Sequence, residues 1–344
     1  MLALLCVLAL FVGMYLAQAM LYTKYGIRQL SYRCRFDREE VQEGDTLTLT
    51  EEIENHSFLP LPWVKSEYSV SKYLDFAGTH SIVTGETRFV SSLFFLRGHA
   101  RICRQWKVKA LLRGEYRVEQ VLLVSSDLLG AARASQAADD LGNMLTVLPL
   151  PSDTLPPMQE PMNLTMGERT VPRSLLTDPM SVADVRPYTG YEPLRRMDWN
   201  ASARTGELMT RTEEPVQARR VHILLTAQQG EYGKRFVSRD VCEDTIRLCV
   251  RVFADLTSSG EPFSVQSNCT VHGALLHEPE GCSAALYHSL RRALAAIDLN
   301  PEQNLRDIAD IPAQARLIII ASYESEDVRR LRAKHPDAAV LLLS

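Results

Sequence analysis

Between Arg186 and Arg204, nineteen residues carry four arginines (Arg186, Arg195, Arg196, Arg204), two acids (Glu192, Asp198) and three large aromatics (Tyr188, Tyr191, Trp199). Acids and arginines at this density can do acid–base work or hold an anionic substrate. The same arginines can grip carboxylates or carbonyls of a partner chain, with tyrosine and tryptophan supplying contact area. A third use is internal: a lattice of hydrogen bonds and stacked planes that clamps two parts of the fold. Losing one partner of such buried charge costs about 3–5 kcal/mol. The stretch alone leaves all three open.

Other signals of chemistry are sparse. No GxGxxG follows a strand, and GxxxxGK[ST], HExxH and GxSxG are absent. The seven cysteines (Cys6, Cys34, Cys103, Cys242, Cys249, Cys269, Cys282) are odd in number and widely spaced. They form no CxxC pair, so a disulfide framework and a zinc site are both poorly supported. His272 and His277 lie around "HGALLH" in a predicted loop or turn, and two histidines at this spacing are weak evidence for a metal site. His222 falls inside an apolar run and reads as a core histidine. A net charge of −4 gives no basic footprint for nucleic acid. No metal and no cofactor is expected.

The elements that must position these residues follow from periodicity. Met1 to Thr23 carries no charged side chain. As a helix it would be roughly 35 Å long, enough for a single transmembrane span. A cleaved signal peptide competes, since Ala17-Gln18-Ala19 resembles a cleavage site. However, the basic residues Lys24, Arg28, Arg33, Arg35 and Arg38 follow the apolar run rather than precede it. That charge bias predicts a single-pass membrane protein with the bulk of the chain in the cytoplasm, and unpaired cysteines suit a reducing compartment. From 30 to 148 short alternating runs predict an all-β sandwich, with Leu47, Leu49 and Ile53 on one face and Trp63 and Trp106 in core or on a sheet face. From 149 to 215 the chain is proline-rich; nine of its seventeen prolines fall between Pro149 and Pro193. This predicts an extended segment laid over the domains. From 216 to 344 apolar strands alternate with amphipathic helices, which predicts a Rossmann-like α/β domain on a parallel sheet.

With those elements in place, "VRPYTGYEPLRRMDWNASARTGELMTR" resembles the signature of the domain of unknown function 58 family. Arg186, Tyr188, Arg195, Asp198, Trp199, Ser202, Ala203 and Arg204 match it. Met197 replaces an isoleucine, Tyr191 stands where glycine is usual, with Gly190 one place early, and Glu192 stands for aspartate. "LLRGEYRVEQVLLVSSDLLG" is similar to a second family pattern through Arg113, Gly114, Tyr116, Asp127 and Gly130, with Leu128 and Leu129 departing. The resemblance implies a membrane-anchored protein whose C-terminal half is similar to a von Willebrand factor type A domain. Such domains often hold a metal through Asp-x-Ser-x-Ser after the first strand. Thr226, Gln228 and Gly230 occupy those places here, and no acid appears before Glu231. The family's usual associates are MoxR-type AAA+ ATPases and transglutaminase-like membrane proteins.

The resulting expectation is a membrane-anchored, non-enzymatic interaction or scaffold protein acting with a MoxR-type AAA+ ATPase. Its candidate interaction or clamp residues are Arg186, Tyr188, Glu192, Arg195, Arg196, Asp198, Trp199 and Arg204, with no catalytic and no metal residues. The alternative is an enzyme with an acid/arginine pocket around Glu192, Arg195 and Asp198.

Overall fold

Alternation of apolar and polar side chains decides the first half of the chain. The computed structural model describes residues 2–22, 29–78, 81–126, 133–138, 142–153, 177–189, 197–215, 220–231, 235–300, 304–308, 311–312 and 315–343. Two compact units are present: residues 1–150 with 291–296, and residues 151–290 with 297–344.

The first unit begins with helix α1 (Leu2–Leu21). Twelve strands follow: β1 (Leu30–Phe36), β2 (Glu40–Gln42), β3 (Thr46–Asn55), β4 (Leu61–Ser71), β5 (Leu74–Phe76) and β6 (Ser81–Thr84), then β7 (Thr87–Leu96), β8 (Arg101–Ala110), β9 (Gly114–Tyr116), β10 (Gln120–Ser126), β11 (Arg133–Ala137) and β12 (Leu145–Leu148). They build an antiparallel sheet β1-β3-β8-β5, a second antiparallel sheet β11-β10-β4-β7-β6, and a small sheet β2-β12-β9. The inward side chains of both large sheets, including Leu47, Leu49, Ile53, Val64, Phe94 and Leu123, share one core. That is a β-sandwich. A strict period of two drives it: in β3 every second residue from Leu47 to Asn55 is buried.

One of those inward residues is a glutamate. Glu51 is fully buried and accepts hydrogen bonds from Tyr32 Oη (2.9 Å), Ser66 Oγ (2.5 Å) and Trp106 Nε1 (3.0 Å). Its donors come from β1 and β8 in its own sheet and β4 in the facing one. A buried carboxylate survives when its oxygens are satisfied; here none of the three donors is a cation. Burial, then the Glu51 charge, pushes the Tyr32 phenol far above its ordinary value. The same two causes raise Tyr68, whose hydroxyl finds no hydrogen-bond partner among the described residues.

The Arg-Gly-x-Tyr pattern also has a structural use. Arg113 Nη1 donates to the carbonyls of Leu294 (2.7 Å) and Ala295 (3.1 Å), which cluster with this unit. The buried Glu43 carboxylate accepts the Arg113 amide (2.8 Å), and the Tyr116 hydroxyl lies 2.9 Å from the carbonyl oxygens of Leu112 and Arg113. Gly114 sits at φ 154°, and a Cβ there would come 2.8 Å from the Tyr116 ring. Asp127, Gly130, Leu128 and Leu129 fall outside the described residues.

The second unit holds β13 (Thr177–Pro187), α2 (Trp199–Thr205), β14 (Met209–Pro215), β15 (Val221–Thr226), β16 (Gly230–Glu231), β17 (Arg235–Phe236), α3 (Arg239–Ser259), β18 (Phe263–Val271) and β19 (Ala274–Gly281). It continues through α4 (Ala284–Ala295), α5 (Leu305–Ile308), β20 (Arg316–Ala321), α6 (Glu326–Lys334) and β21 (Ala339–Leu342). The last residues of α4 cluster with the first unit. The main sheet runs β19-β18-β15-β20-β21, with β18, β15, β20 and β21 parallel and β19 antiparallel at one edge. Leu317, Ile319 and Ala321 pack with Val328 and Leu331 of α6 and Leu305 of α5. Helix α3 ends where Gly260 takes φ 72°, a left-handed cap that glycine adopts without strain. Phe253 of α3 stacks on Phe263 of β18 at 5.4 Å between ring centroids.

Two sequence-based expectations are corrected. The fold class does not stand as a transmembrane helix, a sandwich and a Rossmann-like, von Willebrand factor A-like layer. The described chain is β-rich, with twenty-one strands and six helices. Its last sheet is mixed rather than wholly parallel, because His272 (φ 51°) and Gly273 (φ 80°) turn β18 back into the hairpin strand β19. "HGALLH" is therefore a turn running into a strand, and His277 Nδ1 lies 2.9 Å from Gln266 Nε2. The single-pass membrane localisation does not stand either. Among the described residues no helix is long and apolar enough to cross a membrane.

The unpaired Tyr68 hydroxyl yields a prediction. A phenol whose folded-state pKa is raised contributes stability that is intact below its unfolded value of about 10 and is lost as pH climbs above it. Tyr68→Phe removes that titration together with a buried, unsatisfied hydroxyl. Chemical denaturation at pH 7 is expected to show a gain of about 1 kcal/mol, and alkaline unfolding followed by circular dichroism is expected to shift to higher pH. A loss of stability at pH 7 contradicts this description of the core.

Candidate functional site

The signature residues lie on a small module of the second unit: the antiparallel pair β13 and β14, with α2 between them in sequence. Helix α2 lies inside the stretch expected to be extended, and its two ends have local causes. Asp198 is its N-cap, with extended backbone (φ −91°, ψ 95°), and its Oδ1 accepts the amide of Ala201 at 3.0 Å. Such a cap satisfies one of the orphan amides of the first turn. Gly206 closes the helix at φ 77°, its amide donating to the Ser202 carbonyl. Trp199 opens the helix and Arg204 sits in its last turn, where a cation complements the negative end of the helix dipole.

The remaining polar matches fasten this helix to the strand after it. Ser202 Oγ donates to the Asp198 carbonyl (2.7 Å) and accepts the Met209 amide (2.8 Å). The Asp198 amide in turn donates to the Met209 carbonyl (2.9 Å), and the Tyr188 amide donates to Leu208 (2.7 Å). Met197 and Thr210 form an isolated bridge, and both are buried. Asp198, Ser202, Met197 and Gly206 therefore act through backbone geometry.

Three signature side chains point the other way. Arg186 and Arg204 are exposed, and Trp199 is 63 % exposed, although it is among the most easily buried side chains by size. Tyr188 is half-buried. Glu192, Arg195 and Arg196 lie outside the described residues, as do Gly190 and Tyr191. The module thus brings together Arg186, Tyr188, Asp198, Trp199 and Arg204 on β13, its exit loop and α2. No buried acid/arginine lattice is seen among the described residues of the signature.

A second place with the right topology for a ligand is the carboxyl end of the parallel strands. There Gln228, one of the positions compared with the metal motif, is buried and occupied by protein groups. Its Nε2 donates to Tyr323 Oη (2.7 Å), its Oε1 accepts from Asn268 Nδ2 (2.8 Å), and its carbonyl accepts from Ser322 Oγ (2.7 Å) and Cys242 Sγ (3.4 Å). Thr226 is buried, and its carbonyl accepts the Ser322 amide (3.1 Å). Among the described residues no group of histidines, cysteines and acids could hold a metal ion. Burial raises the Cys249 and Cys269 thiols, Cys269 to about 11, which opposes thiolate formation. The Gln228 network is neutral and internally satisfied, so its chemistry is that of a structural plug. Sequence reasoning missed Glu51 and Glu43. The parity of β3 puts Glu51 in register with Leu49 and Ile53 and could have found it; nothing local marks Glu43.

No family model matches this chain, and no curated protein matches it. Solved structures that share local likeness include the CARDB domain of a Pyrococcus furiosus protein in complex with di-metal ions. That likeness is at 10% identity over 34% of this chain and 91% of that one, with a TM-score of 0.24. A non-cellulosomal cohesin from Archaeoglobus fulgidus is similar at 14% identity over 34% of this chain and 89% of that chain, with a TM-score of 0.23. At these scores neither likeness carries an argument about what this chain does.

The division of labour within the signature is testable. Asp198→Ala is expected to cost about 1 kcal/mol through the lost cap, whereas Trp199→Ala and Arg204→Ala are expected to change stability by less than about 0.5 kcal/mol. Urea denaturation of the three variants separates the roles. Equal destabilisation by Trp199→Ala would place that ring in the core.

Proposed function

We propose that this protein is a non-enzymatic interaction protein and that the outward side of β13, its exit loop and α2 is its contact surface. The partner class is the one implied by the signature's resemblance to the domain of unknown function 58 family: a MoxR-type AAA+ ATPase. The observation that carries the reading is the exposure of Arg186, Trp199 and Arg204 on a module whose backbone is held by Asp198 and Ser202. Tryptophan and arginine dominate interface hot spots, because each buries a large area while keeping directional donors. Leaving such a ring in water is unfavourable unless a partner covers it.

The alternative, an acid/arginine pocket, gains no specific support. The Asp198 carboxylate is engaged in capping α2. Acid–base work needs a carboxylate within reach of a substrate rather than committed to a helix amide.

Affinity purification of the full chain and of the Trp199→Ala and Arg204→Glu variants tests both parts. The wild type is expected to recover an AAA+ ATPase, and each substitution to weaken recovery at least about tenfold. Undiminished recovery by both variants refutes the surface. Absence of any ATPase with the wild type refutes the partner.

A further inference from the structure

On the outer side of the β11-β10-β4-β7-β6 sheet, side-chain size changes abruptly. Phe89 (52 % exposed) and Leu93 (50 %) stand outward on β7, with Ser91 between them on the same side. In register, Ile82 of β6 and Ser69 of β4 flank Phe89, and Glu67 of β4 lies opposite Ser91. Gln120 and Leu122 of β10 lie opposite Ser69 and Glu67. Two serines among large neighbours leave a depression. It is a groove of about 640 Å³, within the ~300–1,000 Å³ of small-molecule sites. Phe89 and Ile82 form one wall and Leu122 the other. The floor is Ser69, Ser91 and the paired Lys65 and Glu67.

We infer that this groove binds a neutral saccharide. Its lining decides against the other ligand classes. A wholly apolar ligand would strip water from the two serine hydroxyls and the Lys65–Glu67 pair without replacing it. An ionic ligand would meet charges already committed, since Lys65 and Glu67 hold each other at 2.5 Å. Arg133 is also exposed on this sheet, but it lies opposite Ser126, at the far end of β10 from Gln120, and does not line the groove. An extended peptide recognises a sheet through an open edge. Beneath this groove β4 and β7 each have a hydrogen-bonded strand on both sides. What fits is a neutral ligand with hydroxyls around an apolar ring face. Serine hydroxyls and the Gln120 amide both donate and accept, so they match ligand hydroxyls in either sense, and Glu67 adds an acceptor. The C–H face of a sugar ring is weakly positive and stacks on the negative face of an exposed aromatic ring such as Phe89.

The test is saturation-transfer difference NMR and calorimetric titration of the full chain with maltose, cellobiose, lactose and N,N′-diacetylchitobiose. At least one is expected to bind with a dissociation constant of about 1 mM or tighter. Ser91→Leu, which fills the depression, is expected to abolish that binding. Phe89→Ala, which removes the aromatic wall, is expected to weaken it at least about tenfold. Both positions lie on the outer side of the sheet, and circular dichroism checks that each variant folds; if one does not, the other carries the test. Absence of binding by all the sugars, or binding that neither variant weakens, overturns the proposal. So does tighter binding of the neutral peptide acetyl-Ala-Ser-Ala-Ser-amide, which would assign the groove to a polypeptide. The β13–α2–β14 surface enters none of these outcomes.

Discussion

A buried carboxylate held by three uncharged donors organises the sandwich. Glu51 occupies an inward position in register with Leu49 and Ile53. Its oxygens are filled by a phenol from β1, an indole from β8 and a serine hydroxyl from β4. Those strands belong to both sheets, so one side chain fixes three registers and the alignment of the sheets at once. A slip of one residue on any strand would turn its donor outward and leave a buried charge unpaired, a larger penalty than a typical packing defect. The apolar core supplies most of the stabilisation; the glutamate makes one arrangement of that core unique.

The second unit meets the same constraint with neutral groups. At the carboxyl end of its parallel strands, where open sheets usually receive ligands, Gln228 exchanges bonds with Tyr323, Asn268, Ser322 and Cys242. An amide can donate and accept, so it satisfies a hydroxyl and another amide together. That reciprocity links the segment after β15 to β18, to α3 and to the segment after β20. The exposed signature side chains lie instead on the β13–α2–β14 module, which Asp198 Oδ1, Ser202 Oγ and backbone bonds hold together.

Much of this was legible from spacing. The period of two that sets Leu47, Leu49 and Ile53 inward also locates Glu51. What parity cannot show is that Tyr32, Ser66 and Trp106, nineteen, fifteen and fifty-five residues away, converge on it. The helix α3 and its glycine stop were readable because cap and periodicity are local. The edge strand β19 was not, since "HGALLH" looks like a polar connection until His272 and Gly273 are seen to adopt positive φ. In the signature, the density of prolines suggested an extended path. The cap at Asp198 and the stop at Gly206 were written plainly in the sequence but outweighed by that composition.

Those errors bear on how a signature should be interpreted. Matched positions in a motif invite a single explanation, yet this one divides by atom. Asp198 and Ser202 commit side-chain oxygens to backbone amides three and seven residues away, which is what keeps a seven-residue helix formed despite the high cost of nucleation. Arg186, Trp199 and Arg204 stay exposed. A helix this short has little stability of its own to tolerate a substituted cap. The Asp198 cap and the Ser202 bond to Met209 together therefore set how Trp199 and Arg204 are presented, so a change at either oxygen reaches the exposed side chains of the helix.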